Sequence, residues 1–293
     1  MSVTGGSRPA WSDAFARANL PTPRAIPGLD DLTPEWAWGG SVGAGVKVAV
    51  IDSGIDAGHP AVAGVRGYVA ISVGDTDELV YDETPHGDLY GHGTACAGII
   101  RSLAPACELY SVRVLGDDLT GRGLVFAAGL RWAIARGMHI CNLSLSTDRP
   151  NFFGLFHELA DLAYFRHLPL ICAASNLPGP SYPSLYAAVI SVAAHEERDP
   201  ERLYYNPAPP VEFGAPGIDL DVAWRDGSTI TATGNSFATP HVTGLVARLL
   251  SNHPGLTIFQ IKTILRALAA NVGHDDGPTL ADGSKRNDGG KSR

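Results

Sequence analysis

Three polar residues in this chain stand where covalent chemistry could be done. Asp52 follows the apolar run "VKVAVI", His92 opens "GHGTACAG", and Ser236 lies in "GNSFATPHVTG". Taken singly, each has an ordinary explanation. "DSG" is good turn chemistry, a loop histidine needs only a hydrogen-bond partner, and a serine at a helix start can cap it. Taken together, they fit hydrolysis through a serine. A serine hydroxyl is a weak nucleophile at neutral pH, so a histidine must take its proton. The histidine in turn needs a carboxylate that holds one tautomer and stabilises the cation. A tetrahedral oxyanion needs preset donors. The N–H of Ser236 at a helix start is one, and Asn176, in "AASN" directly after an apolar run, offers a side-chain amide as another.

Such groups must be delivered by rigid elements. "VKVAVIDSGI", "CELYSVRVL", "HICNLSL", "LPLICAAS" and "AAVISVAA" are continuous apolar runs, the mark of parallel strands buried on both faces. Helical patterns alternate with them: "HGTACAGIIRSL", "GLVFAAGLRWAIARG" stopped by Gly137, "NFFGLFHELADLAYFRH", "FATPHVTGLVARLLSNH" and "TIFQIKTILRALAANV". Thr33 is a candidate cap for a short helix with Pro34 at its first position. This alternation predicts an α/β fold, a three-layer, doubly wound, mostly parallel sheet with helices on both faces and function at the carboxyl ends of its strands. One catalytic domain is expected over residues 31–272. The Pro- and Gly-rich lead 1–30 reads as an N-terminal extension, and the polar tail 273–293 as disordered.

Bulk properties exclude several classes. The 293 residues carry a formal net charge of −8, which argues against nucleic acid as a partner. No apolar run is long enough for a membrane span, and the N-terminus lacks a secretory apolar core. Cys96, Cys107, Cys141 and Cys172 lie in apolar stretches without metal-ligand spacing, so no metal site is read from them. They read as small buried residues in a reducing compartment, and the expected location is the cytoplasm, with a secreted mature form as the alternative. Nothing marks an oligomeric state.

The blocks "VAVIDSGIDAGHP", "GHGTACAG", "NLSL", "AASN" and "GNSFATPHVTG" resemble, in order, those of the subtilisin-like serine proteases, the subtilase or peptidase S8 family. The Asp, His, Ser order is the one known for subtilisin. The resemblance runs from about Glu35 to Val272. It implies a subtilisin-like fold, a serine endopeptidase acting through an acyl-enzyme on peptide or protein substrates, and no obligatory cofactor. It makes Asp52 the orienting acid, His92 the general base and acid, Ser236 the nucleophile and Asn176 the oxyanion donor. By the same resemblance, "LGDDLTGRG" and "NLSLSTD" would pair with a bound peptide as an added strand. Leu115, Gly121, Ser144 and Ser146 would touch that peptide, with Phe126 and Leu145 forming an apolar pocket further upstream. Ala174, Ser175 and Ser181 would line a neutral to apolar primary pocket, with Asn235 beside the oxyanion.

Departures from the family pattern are specific. Asn235 stands where relatives usually have Thr, Ser175 where they have Gly, and Ala95 and Cys96 where they have His-Val. A cysteine at Cys96 occurs in some relatives beneath the histidine and would confer sensitivity to mercurials. "IIRSLAPACELY" leaves no room for the calcium loop of secreted relatives, and Ala61 replaces one of their calcium ligands, so that site is expected to be absent. Between Asp52 and His92 lies a long acidic stretch with Asp75, Asp77, Glu78, Asp82, Glu83 and Asp88. It reads as a solvated loop, with a calcium site at 75–88 or a rim attracting basic substrate residues as the sharper readings. "LPTPRAIPGL" is either a short inhibitory segment, as in the intracellular branch of the family, or a plain extension.

Two other classes stay in view. A catalytically weak, peptide-binding module could keep the same fold, and an intracellular processing protease is the narrower form of the endopeptidase. An esterase of the α/β-hydrolase kind is disfavoured, because "GNSFA" lacks the second glycine of G-x-S-x-G and the order of the triad differs.

Overall fold

The computed structural model describes residues 27–208 and 210–272. The expected extension, apart from its last four residues, and the expected tail lie outside the described residues. After a short α1 (Pro34–Trp38), whose first turn is capped by Thr33 Oγ1 accepting from the N–H of Trp36, the chain enters β1 (Lys47–Asp52). β1 lies at the middle of the sheet and is nearly all buried. Its alternate residues serve two cores: Val48 and Val50 face one, Ala49 and Ile51 the other.

The elements that follow are β2 (Gly67–Val73), β3 (Leu79–Asp82), α2 (His92–Leu103), β4 (Glu108–Arg113), α3 (Gly123–Ala135) and β5 (Ile140–Leu143). Next come α4 (Phe153–Phe165), β6 (Leu170–Ala173), β7 (Ile190–His195), β8 (Tyr204–Tyr205), β9 (Phe213–Pro216), β10 (Leu220–Trp224), β11 (Ser228–Ala232), α5 (Asn235–Asn252) and α6 (Ile258–Ala267). Nine strands form one sheet in the order β3-β2-β4-β1-β5-β6-β7-β9-β8. All neighbours from β2 to β9 are parallel; β3 and β8 are antiparallel edges. One core packs α1, α2, α5 and α6 on the sheet, and the other packs α3 and α4 on the opposite face. These are the three layers expected for the fold.

Two parts of this layout are not visible as patterns in the sequence. The acidic stretch after β2 does not stay a loop: Leu79–Asp82 turns back as β3, pairing Val73 with Leu79 and Ala70 with Asp82. All four β3 residues are exposed, so no apolar alternation marks the strand. The β10–β11 hairpin stands apart from the main sheet and packs Val222 against Ala95, Ile99 and Phe237.

The order of strands places the functional end. From β1 the chain builds β2 and β4 on one side and β5, β6 and β7 on the other. The crevice above the carboxyl ends of β1 and β5 is therefore the reversal point at which open α/β sheets bind ligands.

Candidate active site

Asp52 is the last residue of β1 and is fully buried. Its Oδ1 accepts the N–H of Ser53 at 2.8 Å. His92, the first residue of α2, sets Nδ1 2.8 and 2.9 Å from the two carboxylate oxygens of Asp52. The helix can approach this closely because residue 93 is glycine: a Cβ there would stand 2.0 Å from the carbonyl oxygen of Gly54 and 3.1 Å from the Cβ of Asp52. Gly54 itself turns the chain away from β1 with φ +111°, a conformation that favours glycine.

Asp88 anchors this helix start. Its carboxylate accepts the N–H groups of Tyr90, Gly91 and Thr94 at 3.0, 2.8 and 2.8 Å, and the hydroxyls of Ser53 and Thr94 at 2.8 and 2.6 Å. It is one of the acids that the sequence reading leaves in a solvated loop, and its structural part is missed there. The available signal is its place four residues before His92, just ahead of a helix start, where a carboxylate suits unpaired N–H groups. Burial pushes the His92 imidazole down, but the charge of Asp52, its hydrogen bond and the charge of Asp88 outweigh this. The net displacement is upward from an ordinary value near 6.5.

Ser236 is the second residue of α5, behind Gly234 at the cap position. It does not cap the helix, as the sequence alone allows: its hydroxyl donates to the carbonyl of Ser144 at 3.1 Å. Among the described residues it makes no hydrogen bond to His92, although both side chains line one cleft. Such contacts are often loose without substrate and tighten in the complex. Pro240 explains how the backbone here is held. Lacking an N–H, it cannot donate to the carbonyl four residues back, which is that of Ser236. The freed carbonyl accepts Ser144 Oγ at 2.8 Å and Cys96 Sγ at 3.6 Å. Ser144 Oγ also receives Asn142 Nδ2 at 3.0 Å, and Asn142 Oδ1 receives the Thr243 hydroxyl at 2.9 Å. The chain Thr243–Asn142–Ser144 thus ties α5 to the end of β5 directly beneath Ser236. Cys96 adds a contact to Asp52 Oδ2 at 3.8 Å, and burial pushes its thiol well above the usual range.

Asn176 follows β6 and lines the cleft. Its Oδ1 accepts the N–H of Asn235 at 3.0 Å, which leaves the Nδ2 end for a ligand. Asn235 is placed differently from the expectation for a substrate-binding group. Its Oδ1 accepts the N–H of Ala194 at 2.8 Å, and its Nδ2 donates to the carbonyls of Ala174 and Ser175 at 3.1 Å each. It bridges the ends of β6 and β7 from behind, because its backbone lies at the head of α5 between them.

The cleft has a volume of about 760 Å³. Leu115, Gly121, Phe126, Leu145, Ser146, Ala174 and Ser175 line it, as read from the sequence, together with His92, Ser144, Asn176 and Ser236. The hydroxyl of Ser144 points inward to α5 rather than to the cleft. Ser181 is not on the cleft wall. It is buried, receives the N–H of Ser175 at 3.3 Å and bonds Ser184, so it backs the wall that it was expected to face. The sequence reading does not single out Arg122, Arg149 or Phe152, which also line the cleft: Arg122 lies within the segment "LGDDLTGRG" expected to flank the peptide, and Arg149 and Phe152 follow "NLSLSTD".

The acids between 75 and 88 do not converge. Glu78 and Asp82 bond Thr76 and Thr84, Glu83 pairs with Arg136, and Asp77 stands 3.8 Å from Arg122. None of them lines the cleft. Among the described residues, the only group of three side chains spaced for a metal is Asp52, His92 and Cys96, already bonded to one another. All four cysteines are buried free thiols.

Comparisons with known proteins agree with this geometry. A family model described as the subtilase family, Peptidase_S8, matches residues 43–287. Subtilisin BL of Lederbergia lenta is 33% identical over 80% of this chain and 87% of its own length. Subtilisin E of Bacillus subtilis is 32% identical over 80% of this chain and 63% of its own. The solved structure of Sphericase superposes with a TM-score of 0.64 at 24% identity, covering 78% of this chain and 86% of that one. That of a cold adapted subtilisin-like serine proteinase gives 0.61, covering 76% of this chain and 81% of that one.

Proposed function

This chain belongs to the subtilase family and is a serine endopeptidase of the subtilisin type, and from that premise we propose how its own residues do the work. Ser236 attacks the scissile carbonyl and forms the acyl-enzyme. His92 takes the hydroxyl proton through Nε2 and returns it to the leaving amine. Asp52 holds Nδ1 protonated and stabilises the imidazolium. The N–H of Ser236, at the start of α5, and Nδ2 of Asn176 receive the oxyanion. The observation that carries this assignment is the buried Asp52–His92 pair, 2.8 Å apart, opening on the same cleft as Ser236 and Asn176.

The catalytic domain on this reading is residues 31–272. The peptide lies along the segments around Gly121 and Ser146. Thr147 exchanges backbone bonds with Tyr182 at 2.9 and 2.8 Å, which firms the second of these walls. The primary pocket beside Ala174 and Ser175 is uncharged, and it selects neutral or apolar side chains. We place the protein in a reducing compartment, as an intracellular processing protease, because its four cysteines are unpaired thiols.

Active-site labelling tests the assignment. A fluorophosphonate should add to Ser236, read by mass spectrometry, and the adduct should vanish in Ser236→Ala. A wild-type protein that folds but takes no label would instead be a peptide-binding module. The loss of turnover in Ser236→Ala should be on the order of 10⁶, a magnitude carried over from subtilisin.

A further inference from the structure

We infer that this protease selects substrates carrying an acidic side chain upstream of the cleaved bond, read by Arg122 and Arg149. The inference rests on the assignment of the cleft as the peptide site. The chain has a net charge of −8, with thirty acids against twenty-two Lys and Arg. The cleft inverts that balance. Among the described residues its lining includes Arg122 and Arg149 and no Asp or Glu. The carboxylates of the adjoining loops, Asp117, Asp118 and Asp148, lie outside the lining, and Asp118 is turned onto Thr120, accepting its N–H at 2.9 Å.

The two arginines flank the apolar pocket rather than the reacting atoms. Arg122 directly precedes α3, whose fourth residue is Phe126. Arg149 precedes a turn of 3-10 helix at Pro150–Phe152, and Phe152 packs on Phe156, which packs on Phe126. Both cations are available. Among the described residues Arg122 has one ionic neighbour, Asp77 at 3.8 Å, with the two side chains 70% and 93% exposed. A pair so exposed is weak and open to exchange for a substrate carboxylate. Arg149 makes no ion pair among the described residues, and its hydrogen bonds there are backbone ones: its N–H donates to Thr147 Oγ1 at 3.3 Å and its carbonyl accepts the N–H of Phe152 at 3.1 Å. A guanidinium beside an apolar pocket fits a peptide that carries an aliphatic or aromatic residue with Asp or Glu next to it. The acidic stretch at 75–88, for which a rim attracting basic substrate residues was one of the sharper readings beside a solvated loop, contributes no residue to the lining.

The test is cleavage profiling on a peptide library, followed by matched peptides that differ only in Glu, Gln or Lys at the enriched upstream position. In low salt, kcat/KM should run Glu over Gln over Lys, with Glu about tenfold above Lys. The ratio should collapse towards unity in molar salt, where screening is within ~3 Å. The Arg122→Glu/Arg149→Glu variant should invert the order, which a merely structural role would not do. Labelling of Ser236 reports that the variant is folded. Equal cleavage of the three peptides, or a Glu preference that survives in the variant, would overturn the inference while leaving the endopeptidase assignment intact. A library with no cleaved member would overturn both.

Discussion

The floor of the cleft and its rim are built in opposite ways. On the floor, Asp52, Asn142, Ser144, Thr239 and Thr243 are buried, and each is tied to a partner on another strand or helix or on its own helix. On the rim, Arg122, Arg149 and Leu177 are exposed, and the contacts there are few and long. An unsatisfied polar group on the floor would cost free energy on burial, so each has been paired and its geometry follows from the fold. Rim side chains face water either way, so their identity is free to follow the substrate. Substitutions on the floor should therefore act on kcat or on folding, and those on the rim on KM and selectivity.

The sharpest test of the floor is Asp52→Asn. Turnover should fall by about 10⁴, because the amide favours the wrong tautomer of His92. The pH profile gives the sign of the electrostatics. His92 acts as a base when neutral, so the rate falls as pH drops through its pKa, which stands above the ordinary histidine value. The acid limb of kcat/KM in the wild type should thus lie above pH ~6.5. In Asp52→Asn the largest raising influence is gone and burial prevails, so the residual activity should extend to lower pH. An acid limb that stays in place would mean that Asp52 does not set the His92 charge.

Asn176 and Asn235 divide the same corner between chemistry and support. Asn176→Ala should cut kcat by about 10²–10³ with little change in KM, since the lost donor serves only the oxyanion. Asn235→Ala removes the bonds to Ala194, Ala174 and Ser175, and should lower the melting temperature and raise KM. Its kcat should fall by less, about tenfold. A kcat loss in Asn235→Ala equal to that in Asn176→Ala would place its side chain at the oxyanion after all.

The same division explains what was legible in the sequence. Asp52, His92, Asn176 and Ser236 each lie at or near the place where a regular element begins or ends, and their neighbours carry that information: apolar runs before Asp52 and Asn176, glycines before His92 and Ser236. The parallel core strands were legible because burial on both faces makes them apolar throughout. β3 was not, because an exposed edge strand has no buried face to imprint on it. Asp88 was hidden among acids of like appearance, five of which lie in or beside the β2–β3 hairpin. Arg122 and Arg149 were hidden for another reason. They reach one cleft wall beside the packing of Phe126, Phe156 and Phe152, a contact to α3 that no local spacing encodes.

Burial of the floor should also be felt in acid, where the rim is indifferent. His241, in α5 one turn beyond Phe237, sets Nδ1 3.0 Å from the carbonyl of that residue. Burial first, opposed by that hydrogen bond and aided by the charge of His195, pushes its pKa down to about 4. The imidazole is therefore carried neutral in the folded protein, while in the unfolded chain it takes up a proton near pH ~6.5. Between these values the unfolded state binds more protons, so stability rises with pH through the window and is lost as pH falls through it, by on the order of 3 kcal/mol at its foot. The arginines of the rim stay charged throughout and contribute nothing to this slope. Melting temperatures of Ser236→Ala, a background that prevents self-digestion, should fall steadily from about pH 6.5 to about pH 4.5. Adding His241→Gln should lower the melting temperature at neutral pH and flatten the slope. A slope that the second substitution leaves unchanged would mean that His241 does not set the acid lability.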